Sequence, residues 1–153
     1  MKALWWLLPA VPLLLLLGAL LLNRAPLLQE PGPWARLKVY LGSNVAQTQV
    51  AHAHPELRPR QFPLAPGELL DRVAAAMREL GWQRIRVEGE RVHAEVVTPL
   101  LRFTDDVQAW VEAAPGGSVL HLRSASRLGK ADFAANQRHL QQLLEALRKD
   151  SVL

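Results

Sequence analysis

Three groups of polar residues in this 153-residue chain have the types and spacing that chemistry needs. The first is Asp105, Ser124, Ser126 and Asn136. Asp105 and the two serines alternate with Val107, Ala109, Leu120 and Leu122 along two strand-like segments, so they share the apolar face. A carboxylate, two hydroxyls and an amide at one end of a core can bind a polar ligand, with Asp105 as general base and the others orienting a substrate. The same residues also suit a purely structural cluster, with Asp132 capping the last helix, since buried polar groups need partners. The second group, Arg102, Asp106, Arg123 and Arg127, falls on the opposite face. Cross-strand charges there form an ion network, while the guanidinium fork also fits a phosphate, a carboxylate or an anionic lipid headgroup. The third is His52 and His54, two imidazoles on one side of an extended stretch, followed directly by Pro55 and lacking a third ligand; no metal site is expected. His93 and His121 alternate with apolar strand positions and face outward.

Other chemistries are excluded by what the chain lacks. With no cysteine it has no disulfide framework, thiolate metal site, thiol nucleophile or lipoprotein acyl anchor. It contains no glycine-rich phosphate loop, Gly-X-Ser-X-Gly elbow or His-Glu-X-X-His pair. Neither a cofactor nor an established catalytic residue is expected. The formal charge of +4 is spread along the chain without a Lys/Arg block, which argues against nucleic acid.

The elements that carry these residues follow from periodicity. From Gly67, Leu69, Leu70, Val73, Ala74, Met77 and Leu80 repeat with helical spacing up to Gly81. Trp82 to Val87 and Arg91 to Val97 alternate around Glu88-Gly89-Glu90 and read as a hairpin; Leu101 to Glu112 and Ser118 to Arg127 make a second across 114–117. A helix from about Asp132 to Lys149 closes the chain, with Phe133, Leu140, Leu143, Leu144 and Leu147 on one side. The expected fold is α+β: a four-stranded antiparallel sheet of two hairpins flanked by two helices, in the order αββββα. The loop pairs Ala113 with Ser118 and thereby sets Val111 opposite Leu120, Ala109 opposite Leu122, Val107 opposite Ser124, Asp105 opposite Ser126 and Phe103 opposite Leu128. On the other face, Gln108 meets Arg123 and Thr104 meets Arg127, with Asp106 diagonal to both arginines.

Ahead of this domain lie two different materials. Ala3 to Leu22 is an uncharged run with eleven leucines, bracketed by Lys2 and Arg24. As a helix it would extend about 30 Å, the thickness of bilayer hydrocarbon. Trp5 and Trp6 sit where interfacial anchors would, and the sites around Ala19 and Ala25 suit signal cleavage poorly. The expectation is an N-terminal transmembrane helix over residues 1–22, with a cleaved signal as the alternative. Residues 23–66, which contain seven prolines, read as a tether and extended lead-in, with one short strand fitting Leu37 to Leu41. The α+β domain then occupies residues 67–153.

Taken together, Leu101-Arg102-Phe103-Thr104-Asp105-Asp106-Val107, Arg123-Ser124-Ala125-Ser126-Arg127-Leu128-Gly129, and Asp132, Asn136 and Arg138 resemble the signature of a bacterial and plastid family, the domain of unknown function 1499. The likeness covers about residues 41–148. It departs at Gly42-Ser43-Asn44-Val45-Ala46, where the family has a cysteine, and at Ala134, where the family has glycine. The resemblance implies an exported or membrane-associated small domain without an assigned activity, and treats Asp105, Asp106, Arg123, Ser124, Ser126, Arg127, Asp132 and Asn136 as one unit with a basic residue, Arg138, beside it. The leading expectation is a single-pass inner-membrane protein whose periplasmic domain is a non-enzymatic binding or accessory module for a protein or a small polar or anionic ligand. The alternatives are a small hydrolase or lyase built on Asp105, and an anionic-lipid binder using Arg102, Arg123 and Arg127.

Overall fold

The computed structural model describes residues 10–98 and 102–150. Ala3 to Pro9 of the apolar run, and Leu101, lie outside them. In chain order the elements are α1 (Ala10–Leu22), α2 (Pro33–Gly42), β1 (Val45–Gln47), a 3-10 turn (Pro55–Leu57), β2 (Arg60–Phe62), α3 (Pro66–Glu79), β3 (Gln83–Glu88), β4 (Arg91–Val97), β5 (Thr104–Ala114), β6 (Gly117–Ser126) and α4 (Ala135–Asp150).

The central antiparallel hairpins follow the alternation of their sequences. Two-residue turns, Gly89-Glu90 and Pro115-Gly116, close them on the pairs Glu88 with Arg91 and Ala114 with Gly117. Gly116 in the second turn has φ 80°, a conformation glycine adopts without steric cost. The β5–β6 register is the expected one from Ala113 with Ser118 to Asp105 with Ser126. Beyond it the Arg127 amide still donates to the Thr104 carbonyl at 3.2 Å, but β5 begins at Thr104, so Phe103 does not extend the ladder opposite Leu128.

The sheet has six strands instead of four. Its order is β1-β6-β5-β4-β3, and β2 also pairs with β6. β1 covers β6 from Arg123 to Ala125, and β2 covers it from Ser118 to Leu120. The second approach depends on Gly117: a Cβ there would lie 2.0 Å from the Phe62 carbonyl oxygen. Both extra strands come from the stretch expected as an extended lead-in. The short strand expected at Leu37 to Leu41 is instead the second half of helix α2, started by Pro33 at its first turn.

α3 and α4 cover one face of the sheet, the two-layer arrangement the pattern implies. Leu69, Val73 and Met77 from α3 and Leu140, Leu143 and Leu147 from α4 meet Val92, Val107, Ala109, Leu120 and Leu122 in one core. Among the described residues, no helix covers the opposite face of β3 to β6. α1 has 13 described residues, and no helix among the described residues is long and apolar enough to cross a membrane. Its last turns pack Leu16 and Leu20 against Tyr40, Leu37, Phe133 and Ala134.

Candidate functional site

Three polar assemblies are built on this frame. The first lies at the Ser126 end of the sheet, beneath the start of α4. Asp132 accepts the Ala134 amide at 2.9 Å and the Asn136 amide at 3.1 Å, capping the helix as its position suggests. Burial pushes its carboxyl above the ordinary Asp value, partly offset by those bonds. Phe133 and Ala134 take left-handed φ values of 51° and 70° in this turn. Ala134 thus holds a conformation that suits the glycine of the family signature, at about 1–2 kcal/mol of backbone strain for an L residue.

The cap puts the Asn136 side chain in the core. Its Oδ1 accepts the Ser124 hydroxyl at 2.5 Å, and its Nδ2 donates to Ser126 Oγ at 2.9 Å and to the Asn44 carbonyl at 2.8 Å. Asn44 returns two amide bonds, to the Ser126 and Gly129 carbonyls. Ser124, Ser126 and Asn136 therefore meet as their register implies. Asp105 does not join them by a hydrogen bond; one turn farther along α4, His139 Nε2 lies 2.9 Å from its Oδ2. Asp105 is 1% exposed. Its Oδ1 and His139 Nδ1 have no hydrogen-bond partner among the described residues. The histidine had a signal in the sequence: Asn136, His139, Leu140 and Leu143 share the i, i+3, i+4, i+7 stripe.

The second assembly ties the N-terminal segment to α4. Arg36, fully buried, grips Glu56 with both terminal nitrogens at 2.6 and 3.1 Å, donates to Tyr40 Oη at 3.0 Å and to the Gln29 carbonyl at 3.1 Å, and also holds the Glu30 carbonyl. Gln137 completes the network: its Nε2 donates to Glu56, while its Oε1 faces Tyr40 and His54 Nδ1. His52 and His54 stay in contact: their rings meet edge-on with centres 5.2 Å apart, and His52 Nδ1 accepts the His54 amide. No trace of this network shows in local sequence, because its members are far apart in the chain.

This network makes stability acid-sensitive. Burial lowers the His54 pKa below its ordinary 6.5, with the Gln137 bond opposing. Folded His54 therefore stays neutral where the unfolded chain takes up a proton, so its contribution is constant above 6.5 and declines as the pH falls below that value. Burial raises the Glu56 pKa, but the Arg36 bonds outweigh it and leave the carboxyl below 4.5, so its contribution is held above 4.5 and lost as the pH falls through the folded value. Urea unfolding at pH 7.5 and at 5.5 should show lower stability at 5.5. The difference should shrink in His54→Gln, which cannot be protonated.

The third assembly occupies the helix-free face. Arg86, His93, Gln108, Arg123 and Gln47 form one row across five strands. Beside it runs a row of Glu95, Asp106 and Ala125. Arg127 forks onto Asp106 at 2.6 and 2.9 Å and reaches Glu95 at 2.6 Å, the ion network expected on this surface. These bonds hold the Asp106 carboxyl below, and the Arg127 guanidinium above, their ordinary pKa values. On the other side, Trp110 stacks on His121 with ring centres 5.2 Å apart, and Arg91 lies 5.6 Å from the Trp110 ring centre. Between these features is a groove of about 320 Å³ lined by Arg84, Arg86, His93, Gln108 and Arg123 as well as by the two acids. Asp106 and Glu95 are already engaged by Arg127, and Arg84 adds a 3.4 Å contact to Glu95. Arg86 has a carboxylate only at 3.8 Å, that of Glu88, so Arg86 and Arg123 present the groove's least compensated charge.

Two expected members fall elsewhere. Arg102 is exposed, at left-handed φ 52°, and does not line the groove. Arg138 points along α4 to Glu145 at 3.5 Å. Asp105 lines neither the groove nor a second cavity of about 40 Å³ bounded by Tyr40, His52, Asp132 and Gln137.

The comparisons with known proteins agree with these motifs. No curated protein matches the chain. A family model described as "Protein of unknown function (DUF1499)" matches residues 41–147, a span that runs from the end of α2 to α4 and holds the Asn136 cluster and the groove. The chain belongs to the DUF1499 family.

Proposed function

We propose that this protein is a membrane-anchored, non-enzymatic binding domain that recognises a small anionic group in the groove on the open face of its sheet. The observation that carries the reading is the row Arg86, His93, Gln108, Arg123, which offers two guanidiniums, an imidazole and an amide within one concave surface. Guanidinium forks bind carboxylate or phosphate oxygens in pairs. The general-base reading has less support, because a base must reach its substrate and Asp105 is enclosed and bonded to His139. The uncharged run from Ala3 to Leu22 supports an anchor in the inner membrane with the domain on the periplasmic side.

Inorganic phosphate and short-chain phosphatidylglycerol are suitable probes for the full-length chain in phosphatidylcholine nanodiscs, with binding followed by calorimetry. Binding should weaken at least about tenfold when Arg86 or Arg123 becomes Gln, the loss expected for about 1.4 kcal/mol from one charged hydrogen bond. Arg138→Gln, remote from the groove, should bind like the parent. Equal binding by all three variants, or failure of the parent to bind either probe, would remove the anion reading. Preference for the lipid over phosphate would identify a headgroup as the occupant.

A further inference from the structure

α2 is inside out. Its buried side carries Arg36 and Tyr40, whereas Trp34 is 81% exposed and Leu41 42% exposed. Trp34, Lys38 and Leu41 are spaced i, i+4, i+7 and share one stripe. A helix in water normally presents the reverse pattern. Leu28, just ahead of α2, is 92% exposed. These apolar side chains are not on a loose segment. Arg36 fixes the Gln29 and Glu30 carbonyls, and Asn23 Nδ2 donates to the Phe133 carbonyl at 2.9 Å.

The patch adjoins the end of α1. Leu16 and Leu20 pack into the same cluster as Leu37 and Tyr40 of α2, while Leu13, Leu14 and Leu15 remain exposed. Whatever apolar medium receives the outer side of α1 therefore begins beside α2. An indole with one polar edge and a lysine able to extend its ammonium upward are the side chains suited to a bilayer's headgroup zone.

We infer that the exposed face of α2, together with Leu28, lies in the headgroup zone of the bilayer that holds the anchor, so that the domain is seated on the membrane rather than suspended from it. The inference rests on the anchoring reading above and adds to it a defined membrane-facing surface. It replaces the picture of a loose tether with one in which the last turns of α1, α2 and the start of α4 form a single block at the interface.

The absence of cysteine makes the test direct, since each introduced thiol is unique. Spin labels are placed singly at Leu14→Cys, Leu28→Cys, Leu41→Cys and Glu90→Cys in the full chain, reconstituted in phosphatidylcholine–phosphatidylglycerol vesicles. Glu90 lies at the tip of the β3–β4 hairpin, at the opposite end of the sheet from Ser126. Accessibility to oxygen, which enters lipid, is compared with that to a nickel chelate, which does not. Labels at 28 and 41 should lose most of their nickel accessibility relative to 90 and keep oxygen accessibility, with 14 deeper still. If 28 and 41 behave like 90 while 14 is deep, the anchor stands and the seated domain is overturned. If 14 is also aqueous, the anchor itself is overturned. Protection of 28 and 41 from both reagents with mutual spin broadening would assign the face to a second copy of the chain and overturn the bilayer as its occupant.

Discussion

Arg36→Met is expected to reduce the unfolding free energy by about 3–5 kcal/mol, the range for breaking a buried ion pair from one side. The guanidinium is wholly enclosed, and the Glu56 carboxylate it serves is 14% exposed. Without Arg36, Glu56 keeps only the Gln137 amide from this network, and the Gln29 and Glu30 carbonyls lose a donor. The cost is therefore mainly that of an uncompensated buried charge, and removing that charge as well should recover much of the loss. Arg36→Met with Glu56→Gln should be more stable than Arg36→Met alone. Urea transitions of the detergent-solubilised chain, followed by tryptophan fluorescence, measure both. A loss below about 1 kcal/mol for Arg36→Met would mean that the pair behaves as a solvated one.

Asn136→Leu is expected to cost roughly 3–6 kcal/mol, since one buried and two half-buried partners each stand to lose about 1–3 kcal/mol when left unpaired. Leucine keeps the branching of asparagine but is bulkier, so a share of the loss comes from overpacking and the rest from the missing hydrogen bonds. The Ser124 hydroxyl, the Ser126 hydroxyl and the Asn44 carbonyl all face the deleted amide. Ser126→Ala removes a single bond and should cost about 1 kcal/mol. Loss in Asn136→Leu no larger than in Ser126→Ala would show that the partners re-pair with one another. Because the amide joins β6, α4 and the residue just before β1, hydrogen exchange at Val45 to Gln47 should accelerate in the leucine variant.

These two networks divide sharply in how far they can be read from sequence. Asn136, Ser124 and Ser126 were legible because a short turn fixes the β5–β6 register and a long stripe fixes the α4 face; each position then has one orientation. The family resemblance is borne out by the match over residues 41–147, a span that includes these residues. His139 lies on that stripe too, yet its pairing with Asp105 is a contact between strand and helix that periodicity does not encode. Arg36, Glu56 and Gln137 belong to three separate elements, so nothing local joins them. β1 and β2 were missed for a different reason: three residues are too few to display alternation. The helix over Leu37 to Leu41 is not legible from periodicity because α2 buries a charged residue, Arg36, along with Leu37 and Tyr40 while exposing Trp34, Val39 and Leu41, so it has no single apolar stripe.

The pairing of β1 and β2 with β6 carries a consequence for the order of assembly. Both short strands are synthesised well before the strand that completes their hydrogen bonds, and α2 is fixed beside them through Gln137 of a still later helix. Emerging from a ribosome or a translocation channel, β1 and β2 have no strand to pair with until β6 arrives, and Tyr40 and Glu56 wait for Gln137 of α4. Such non-local closure delays folding and keeps the early segment open to misassociation. The stretch that carries β1 and β2 is thus made early and secured late, and a chain cut short before α4 would leave it without its clasp.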